Sequence, residues 1–472
     1  MVIQNIVFPD EFCPEESIYF HTDGKTDAKN GTVLLKEGEY FSTFAYMNVL
    51  DAGFWRTYTD VRDITLRLFT VGKGSLKIYI KKENETELFK ELEFSAGQMD
   101  TDLSSIEDGL IYFSLTAKEP SCFLRAFYSS EIRQPNEVRI AAAAAGISGR
   151  LENVLAALEE SSFFEKEKAL YGALKVYSEE GEKEPPLFDT LLSRIREDRG
   201  EFPCTHVLFL TDEGEFRIEG LYRLYAFLSM VKEEYKDSPV SATVLCGSAR
   251  NVIHTSKEVW NHSEIIHKDE GKDISSGVNI LTRESLTEDA SEGGSYALWR
   301  LCAYPAGYAL ENRPYPFYGG EGSAEYGLRC GKEPAELKGF EAFGGAFEKE
   351  KSPEDIYYEV RNGLITDMME SYETDVFPVL GRWNKKYKLY KSAGAAKERY
   401  CCALALRHAS KPGLCRKNSG KAPAGSFRIL KRKRLLKPAA VLLKGFSVIY
   451  IYIGYSFFRD RYIRIRREQR WQ

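Results

Sequence analysis

The sequence predicts an N-terminal β-sandwich or barrel, a central α/β domain and a helical, basic C-terminal region. Three observations carry this reading. Short alternating apolar runs fill residues 1–135, strand patterns alternate with helical ones over 136–365, and positive charge accumulates in residues 366–472. At about 150 residues per domain, a chain of 472 residues has room for roughly three domains and a substantial core.

The β-domain rests on five runs: Gly38 to Phe44, Ile64 to Phe69, Ser75 to Ile80, Ile111 to Leu115 and Cys122 to Phe127. Each alternates apolar with polar residues or is rich in aromatics, and Gly72-Lys73-Gly74 separates two of them at hairpin distance. Several short strands at this spacing build a sandwich or barrel. Trp55, in an aromatic segment, is expected to be buried between the sheets or against the α/β domain.

Beyond residue 136 the pattern changes. Val138 to Ala145 is an apolar run, and Leu151 to Leu158 has helical spacing. His206 to Leu210 reads as a strand ending at Thr211-Asp212-Glu213. A helical stretch from Leu221 to Val231 and a strand from Ala242 to Cys246 follow. Strands alternating with helices predict βαβ units and a mainly parallel sheet. Short carboxylates just past a strand's carboxyl end stand where such sheets place ligands.

The composition, with 43% hydrophobic and 29% charged residues, excludes fibrous and broadly disordered classes. A net charge of −5 conceals an asymmetry: residues 381–472 hold 25 Lys+Arg against 3 Asp+Glu, the remainder 40 against 67. Such a tail seeks an anionic partner. Lys431 to Arg434 precede, and Arg459, Arg461, Arg464, Arg466 and Arg467 follow, the apolar stretch Ala439 to Phe458. Charges flanking an apolar block suit a lipid surface and not nucleic acid, where aromatics interleave with the positive residues. Lys444, Gly445 and Gly454 interrupt the block, so contact with the membrane face is expected ahead of a packed structural element or a spanning helix. Nine cysteines without CxxC spacing, and an N-terminus without an apolar leader, predict a cytoplasmic chain with reduced thiols, peripheral at the inner face of the cell membrane.

Several segments keep a common order. They are Tyr40 to Phe44, Phe54 to Val61, Gly72 to Tyr79, Thr205 to Glu213, Glu325 to Arg329, Ser352-Pro353 and Tyr357 to Asn362. In order and approximate spacing over residues 38–365 they resemble the polymerising bacterial galactofuranosyltransferases. The resemblance implies a glycosyltransferase of family 2 type, a hexosyltransferase, whose central domain has the A-type nucleotide-diphosphosugar fold. It further implies a UDP-sugar donor (UDP-galactofuranose), a glycan acceptor of cell-wall polysaccharide, a divalent metal (Mn or Mg), and helices at the membrane; a homo-oligomer is left open.

Four site features can be carried over from the family. The metal and diphosphate would fall to Asp212 and Glu213, with Thr211 where the family has its first Asp. The family's base position falls on Ser323, which cannot accept a proton near neutral pH; Glu321 and Glu325 flank it as the candidate bases. The third metal ligand, a His in the family, falls on Gly344, and His254, His262 and His267 lie upstream, each read as a solvated or core histidine. The donor loop, Glu184 to Ser193, has no glycine, and Arg150 stands in on the uracil side. Four altered features at once open an alternative from another class: a catalytically inactive homologue, a pseudoenzyme that acts as a glycan-binding or scaffold protein at the membrane. Whether the chain is an enzyme stays open between the two.

Overall fold

The computed structural model describes residues 1–10, 13–82, 85–132, 134–145, 173–179, 186–211, 215–261, 265–279, 294–315, 317–318, 322–344, 352–370, 377–409, 422, 426–427, 430, 436–445, 447–448, 451 and 461–463. The first domain opens with β1 (Val2–Asn5), β2 (His21–Thr22), β3 (Lys25–Asp27), β4 (Thr32–Leu35), β5 (Tyr40–Ser42) and β6 (Leu50–Asp51). A short helix, α1 (Ala52–Tyr58), leads to β7 (Thr65–Val71), β8 (Gly74–Lys82), β9 (Glu85–Phe94), β10 (Gly97–Asp102), β11 (Leu110–Ala117) and β12 (Ser121–Ser129). They form two antiparallel sheets. One runs β10-β7-β12-β4-β3 with β1 on β12, the other β2-β5-β11-β8-β9 with β6 on β11. The alternation read in the sequence is what seals them: Leu66 and Leu68 from β7 and Leu76 and Ile78 from β8 point inward and are buried. Phe41, Phe113 and Phe123 meet at the centre, with Phe41 and Phe123 ring centroids 4.7 Å apart.

The Gly72-Lys73-Gly74 turn differs from the expected hairpin. β7 pairs with β10 and β12, whereas β8 pairs with β9 and β11, so the turn carries the chain from one sheet to the other. Gly72 has φ +88°, and a Cβ there would lie 2.3 Å from Ser121 Oγ. A side chain on Gly74 would meet the Thr116 carbonyl at 2.2 Å. The corner closes only because both residues lack one.

The second domain contains β13 (Ile140–Ala145), β14 (Leu174–Glu179), α2 (Pro186–Glu197), β15 (His206–Thr211), β16 (Glu215–Phe216), α3 (Ile218–Met230) and β17 (Val240–Leu245). It continues through β18 (Ile253–Thr255), β19 (Glu258–Trp260), β20 (Ile265–His267), β21 (Gly294–Tyr296) and β22 (Leu301–Pro305). The helices α4 (Ala306–Glu311) and α5 (Gly322–Cys330) and strand β23 (Ala335–Phe343) complete it. The main sheet has the order β14-β13-β15-β22-β17-β23-β16, with β18 on β17. It is mixed where a mainly parallel sheet was expected. β13 runs parallel to β14 and β15, and β17 to β23, but β22 lies antiparallel between β15 and β17. The chain reaches β22 from β21 of the small sheet β20-β19-β21, and Leu301 at the start of β22 pairs with Leu210 near the end of β15, so β22 enters from the opposite end.

Both faces of this sheet are covered, and β13 (Ile-Ala-Ala-Ala-Ala-Ala) shows how. Ala142 and Ala144 join the core shared with the β-domain, whereas Ala141, Ala143 and Ala145 face Phe188, Leu191 and Leu192 of α2. Alanine is a poor strand former, but its small side chain allows close packing on both faces of a central strand. Helix α3 is buried nearly all round because it lies between the main sheet and the β-domain.

The C-terminal region has its own core. Helices α6 (Pro353–Glu370), α7 (Phe377–Ser392) and α8 (Ala396–Ala409) pack Tyr357, Trp383, Tyr387 and Leu404 together with Leu436, Ala440, Ile451 and Tyr462. The expected boundary at 365/366 falls inside α6. Among the described residues no helix is long and apolar enough to cross a membrane.

Trp55 is 3% exposed. It sits on α1 (a helix, capped by Asp51 Oδ1 accepting from the Phe54 amide at 2.9 Å) and contacts Phe227 of α3, its ring centroid 6.2 Å away. Trp55→Ala should therefore remove about 3–5 kcal/mol of stability. Thermal or urea melts measure this, and an unchanged midpoint would contradict the packing.

Candidate functional site

The carboxyl edge of the main sheet brings the ends of β13, β15, β17 and β23 together with the start of β22. β13 has β14 on one side and β15 on the other, so the strand order reverses there, and Ala145 is the register partner of Thr211. The strand β22 starts at the same edge, because Leu301 pairs with Leu210. β17 and β23 also end there, with Leu245 opposite Phe343. In open α/β sheets a crevice at such a switch point receives the ligand. Trp299 and Arg300 enter the edge just before β22. Trp299 stacks on Phe209 at 5.6 Å, and Gly322, the first residue of α5, packs so close that a Cβ would lie 3.0 Å from the Trp299 ring.

Of the residues the sequence singled out, Arg150, Asp212, Glu213 and Glu321 lie outside the described residues, as does His262. Thr211 and Ser323 are half-buried. Gly344 follows β23, and its carbonyl accepts a hydrogen bond from Arg300 Nη1 at 3.0 Å. A guanidinium thus faces the position that the sequence reading set against the family's metal-binding histidine. Among the described residues no group of three His, Cys, Asp or Glu side chains could hold a metal ion.

Glu325 is fully buried on α5, with Oε1 3.3 Å from Arg329 Nε one turn along the helix. Arg329 also donates to the Arg313 carbonyl at 2.8 Å and lies over the Tyr326 ring. A carboxylate sealed in this way braces the helix. A base must come within hydrogen-bond reach of the proton it takes.

The structure also assembles a group that the sequence reading left as separate histidines. β19 is the middle strand of the small sheet, and Glu258 is the register partner of both His267 on β20 and Tyr296 on β21. Tyr296 donates its hydroxyl proton to Glu258 Oε2 at 2.7 Å, and His267 Nδ1 stands 3.2 Å from Glu258 Oε1. The His254 ring lies 4.9 Å from that of His267. Glu258 holds the His267 imidazole above its ordinary range, against the opposing effect of burial. Burial, followed by the charges of His267 and Arg300, holds His254 below it. The sequence does carry a signal: two three-residue strand runs, Glu258 to Trp260 and Ile265 to His267, flank a polar turn. Reading it as a hairpin would have paired residues 258 and 267.

The Glu325–Arg329 pair yields a direct test. Arg329→Met leaves a buried carboxylate without its guanidinium and should cost about 3–5 kcal/mol. Adding Glu325→Gln should recover most of that loss in a urea melt. Failure of the second substitution to rescue the first would show that the pair is not what holds α5.

Comparison with known proteins bears chiefly on the first domain. No curated protein matches the chain. Among solved structures, a carbohydrate-binding module from the Cellvibrio mixtus lichenase 5A, in complex with cellotriose, is 14% identical. It covers 28% of this chain and 100% of that one, with a TM-score of 0.18. A glycosylation-associated protein complex from Streptococcus agalactiae is 12% identical over 50% of this chain and 86% of that one, also at 0.18. Scores this low define no common fold. Residues 4–131 match the family model described as galactofuranosyltransferase 2 N-terminal, which supports a likeness to that family for the β-domain.

Proposed function

We propose that the chain is a galactofuranosyltransferase-like glycosyltransferase of cell-surface glycan assembly that uses a UDP-sugar donor. The observation that carries this reading is the parallel pairing of Ala145 with Thr211 at the switch point of the main sheet, with Asp212 and Glu213 following at once in sequence. The match of residues 4–131 to a galactofuranosyltransferase domain supports it independently. In this reading residues 136–365 form an A-type nucleotide-diphosphosugar domain. Asp212 and Glu213 would hold a divalent ion (Mn or Mg) that neutralises the leaving diphosphate, and Arg150 would serve the uridine side. The acceptor is a glycan hydroxyl.

Calorimetry with UDP, with and without manganese, tests the donor site. Manganese should strengthen UDP binding, and Asp212→Ala or Glu213→Ala should remove that gain with little change in melting temperature. Each should slow sugar transfer by on the order of 10²-fold or more. UDP binding that ignores both substitutions would sink the assignment.

A second reading is favoured by one observation: Glu325, the acidic residue that matches the family motif, is sealed against Arg329, while Ser323 replaces the base. Under it the chain is an inactive homologue that binds glycan or acts as a scaffold at the membrane. Ser323→Asp, which restores the family's carboxylate, separates the two by raising turnover only if the rest of the site is intact.

The membrane surface is the proposed partner of the basic C-terminus, with a cytoplasmic location at the inner face of the cell membrane. Exposed apolar and basic residues lie together there. Leu389 is 62% exposed beside Lys385 and Lys388 on α7, and Leu442 is 61% exposed on the helical segment 436–445, which also exposes Lys437. Lys444 ties the segment to α7 through Asn384 Oδ1 at 2.7 Å. Co-sedimentation with vesicles containing phosphatidylserine should weaken steeply as salt rises, since each basic residue near the surface contributes about 1 kcal/mol. Binding indifferent to salt would remove the electrostatic contact.

A further inference from the structure

We propose that His267, paired with Glu258, is the general base of this site, taking the acceptor proton that the family's carboxylate would take at the position of Ser323. The inference rests on the glycosyltransferase reading and deepens it. The arrangement has the parts that a base requires. Glu258 is 5% exposed, and a buried carboxylate is costly unless well bonded. Here one oxygen accepts from the Tyr296 hydroxyl and the other faces His267 Nδ1. That ion pair favours the protonated ring that proton uptake creates. Nε2, the ring nitrogen turned away from Glu258, is left to work, and the His267 side chain keeps 27% of its surface exposed.

Position links the group to the carboxyl edge. β18, which carries His254, pairs with β17 through Leu245 and Ile253 at that edge. Arg300, bonded to Gly344 at the same edge, is close enough for its charge to act on both His254 and His267. Tyr296 packs against Gly327 of α5, the helix whose first turn holds Ser323: a Cβ on Gly327 would lie 2.5 Å from the Tyr296 Cβ. The charged groups that face His267 are Glu258 and Glu270, which favour its protonation, and Arg300, which opposes it; His254, itself held low, is its neighbour. Above its raised pKa the imidazole is neutral and can accept.

The step balances without another reagent. The acceptor hydroxyl gives its proton to His267 Nε2 as its oxygen bonds to the anomeric carbon of the donor. The bond from that carbon to the diphosphate oxygen breaks, and its electron pair leaves on UDP. The imidazolium that results faces Glu258, and the proton then passes to water.

The test uses the full-length protein, UDP-galactofuranose and a galactan oligosaccharide acceptor, with kcat measured from pH 5 to 9. His267→Asn, and separately His267→Gln, should lower kcat by about 10²–10⁴-fold while leaving the Kd for UDP within twofold and the melt unchanged. Glu258→Gln should move the acid limb of the profile to lower pH, and Tyr296→Phe should move it in the opposite direction by strengthening the free carboxylate charge. In ¹³C-histidine-labelled protein, the imidazole resonance lost in His267→Asn should titrate above 6.5 and fall in Glu258→Gln. Wild-type kcat in both His267 variants, or an acid limb unmoved by Glu258→Gln, overturns the assignment. A protein that binds UDP yet turns over no donor overturns the base and leaves the donor site standing; one that binds no UDP overturns the parent reading as well.

Discussion

A single buried guanidinium joins the two halves on which the site is built. Arg223 projects from α3, is 1% exposed, and donates from Nη2 to the Met47 carbonyl at 2.8 Å and from Nη1 to the Lys338 carbonyl at 3.2 Å. One acceptor belongs to the β-domain and the other to β23 of the main sheet. A charge taken this far from water persists only where carbonyls and carboxylates replace the lost hydration, and Glu219 and Glu341 supply the nearest negative charge. Gly339 is the complement of this arrangement. At φ +84° it brings bare backbone under the guanidinium, where a Cβ would stand 1.6 Å from Nη1. The strand that Arg223 braces ends at Phe343, and Gly344 just beyond it receives Arg300. The geometry of the carboxyl edge is thereby tied to an arginine on the opposite side of the sheet.

Around Arg223 the boundary between the domains is continuous core and not a hinge. Phe54, Trp55 and Tyr58 of α1 all contact Phe227, and the core that holds Phe41 and Phe113 also holds Leu221, Leu224, Val240 and Phe340. Polar bonds follow the same seam: Arg217 to Asp10 at 2.7 Å, the Tyr222 hydroxyl to the Val2 carbonyl at 3.0 Å, and Lys232 Nζ to the carbonyls of Arg56 and Thr57, each at 2.8 Å. An interface this apolar fixes the relative orientation of its two sides. The β-domain is then part of the scaffold of the central sheet.

How much of this was legible in the sequence depends on range. The five strand runs of the first domain, the strands at 206 and 242 and the helix from 218 show themselves through periodicity, because each is a local consequence of which side chains must be buried. The sheet change at Gly72 and the antiparallel entry of β22 do not, since both depend on which strand arrives beside which. The site divides in the same way. Asp212 and Glu213 are singled out by their position after a strand but lie outside the described residues, and Glu325 by resemblance to a motif, although the fold buries it against Arg329. Glu258 and His267 could have been paired by reading their short runs as a hairpin, but the arrival of Tyr296 depends on a second pairing, with β21, that no local pattern announces. Arg223 and Arg300 escaped for a simpler reason: a lone arginine looks the same in sequence whether it is solvated or clamped.

The antiparallel insertion of β22 has a kinetic meaning. The strands β14, β13 and β15 can pair as soon as residue 211 is available, whereas β17 pairs with β18, β22 and β23, so the two halves of the main sheet meet only through β22. Leu210 must wait for Leu301. At a synthesis rate of about 5–20 residues per second, that is roughly 5–20 s during which β15 presents an open, apolar edge of Val207, Leu208, Phe209 and Leu210. Such an edge is a template for another chain. The strand that completes the sheet is therefore also the one that ends its exposure to misassembly, and the long sequence separation it closes places it among the slow steps of folding.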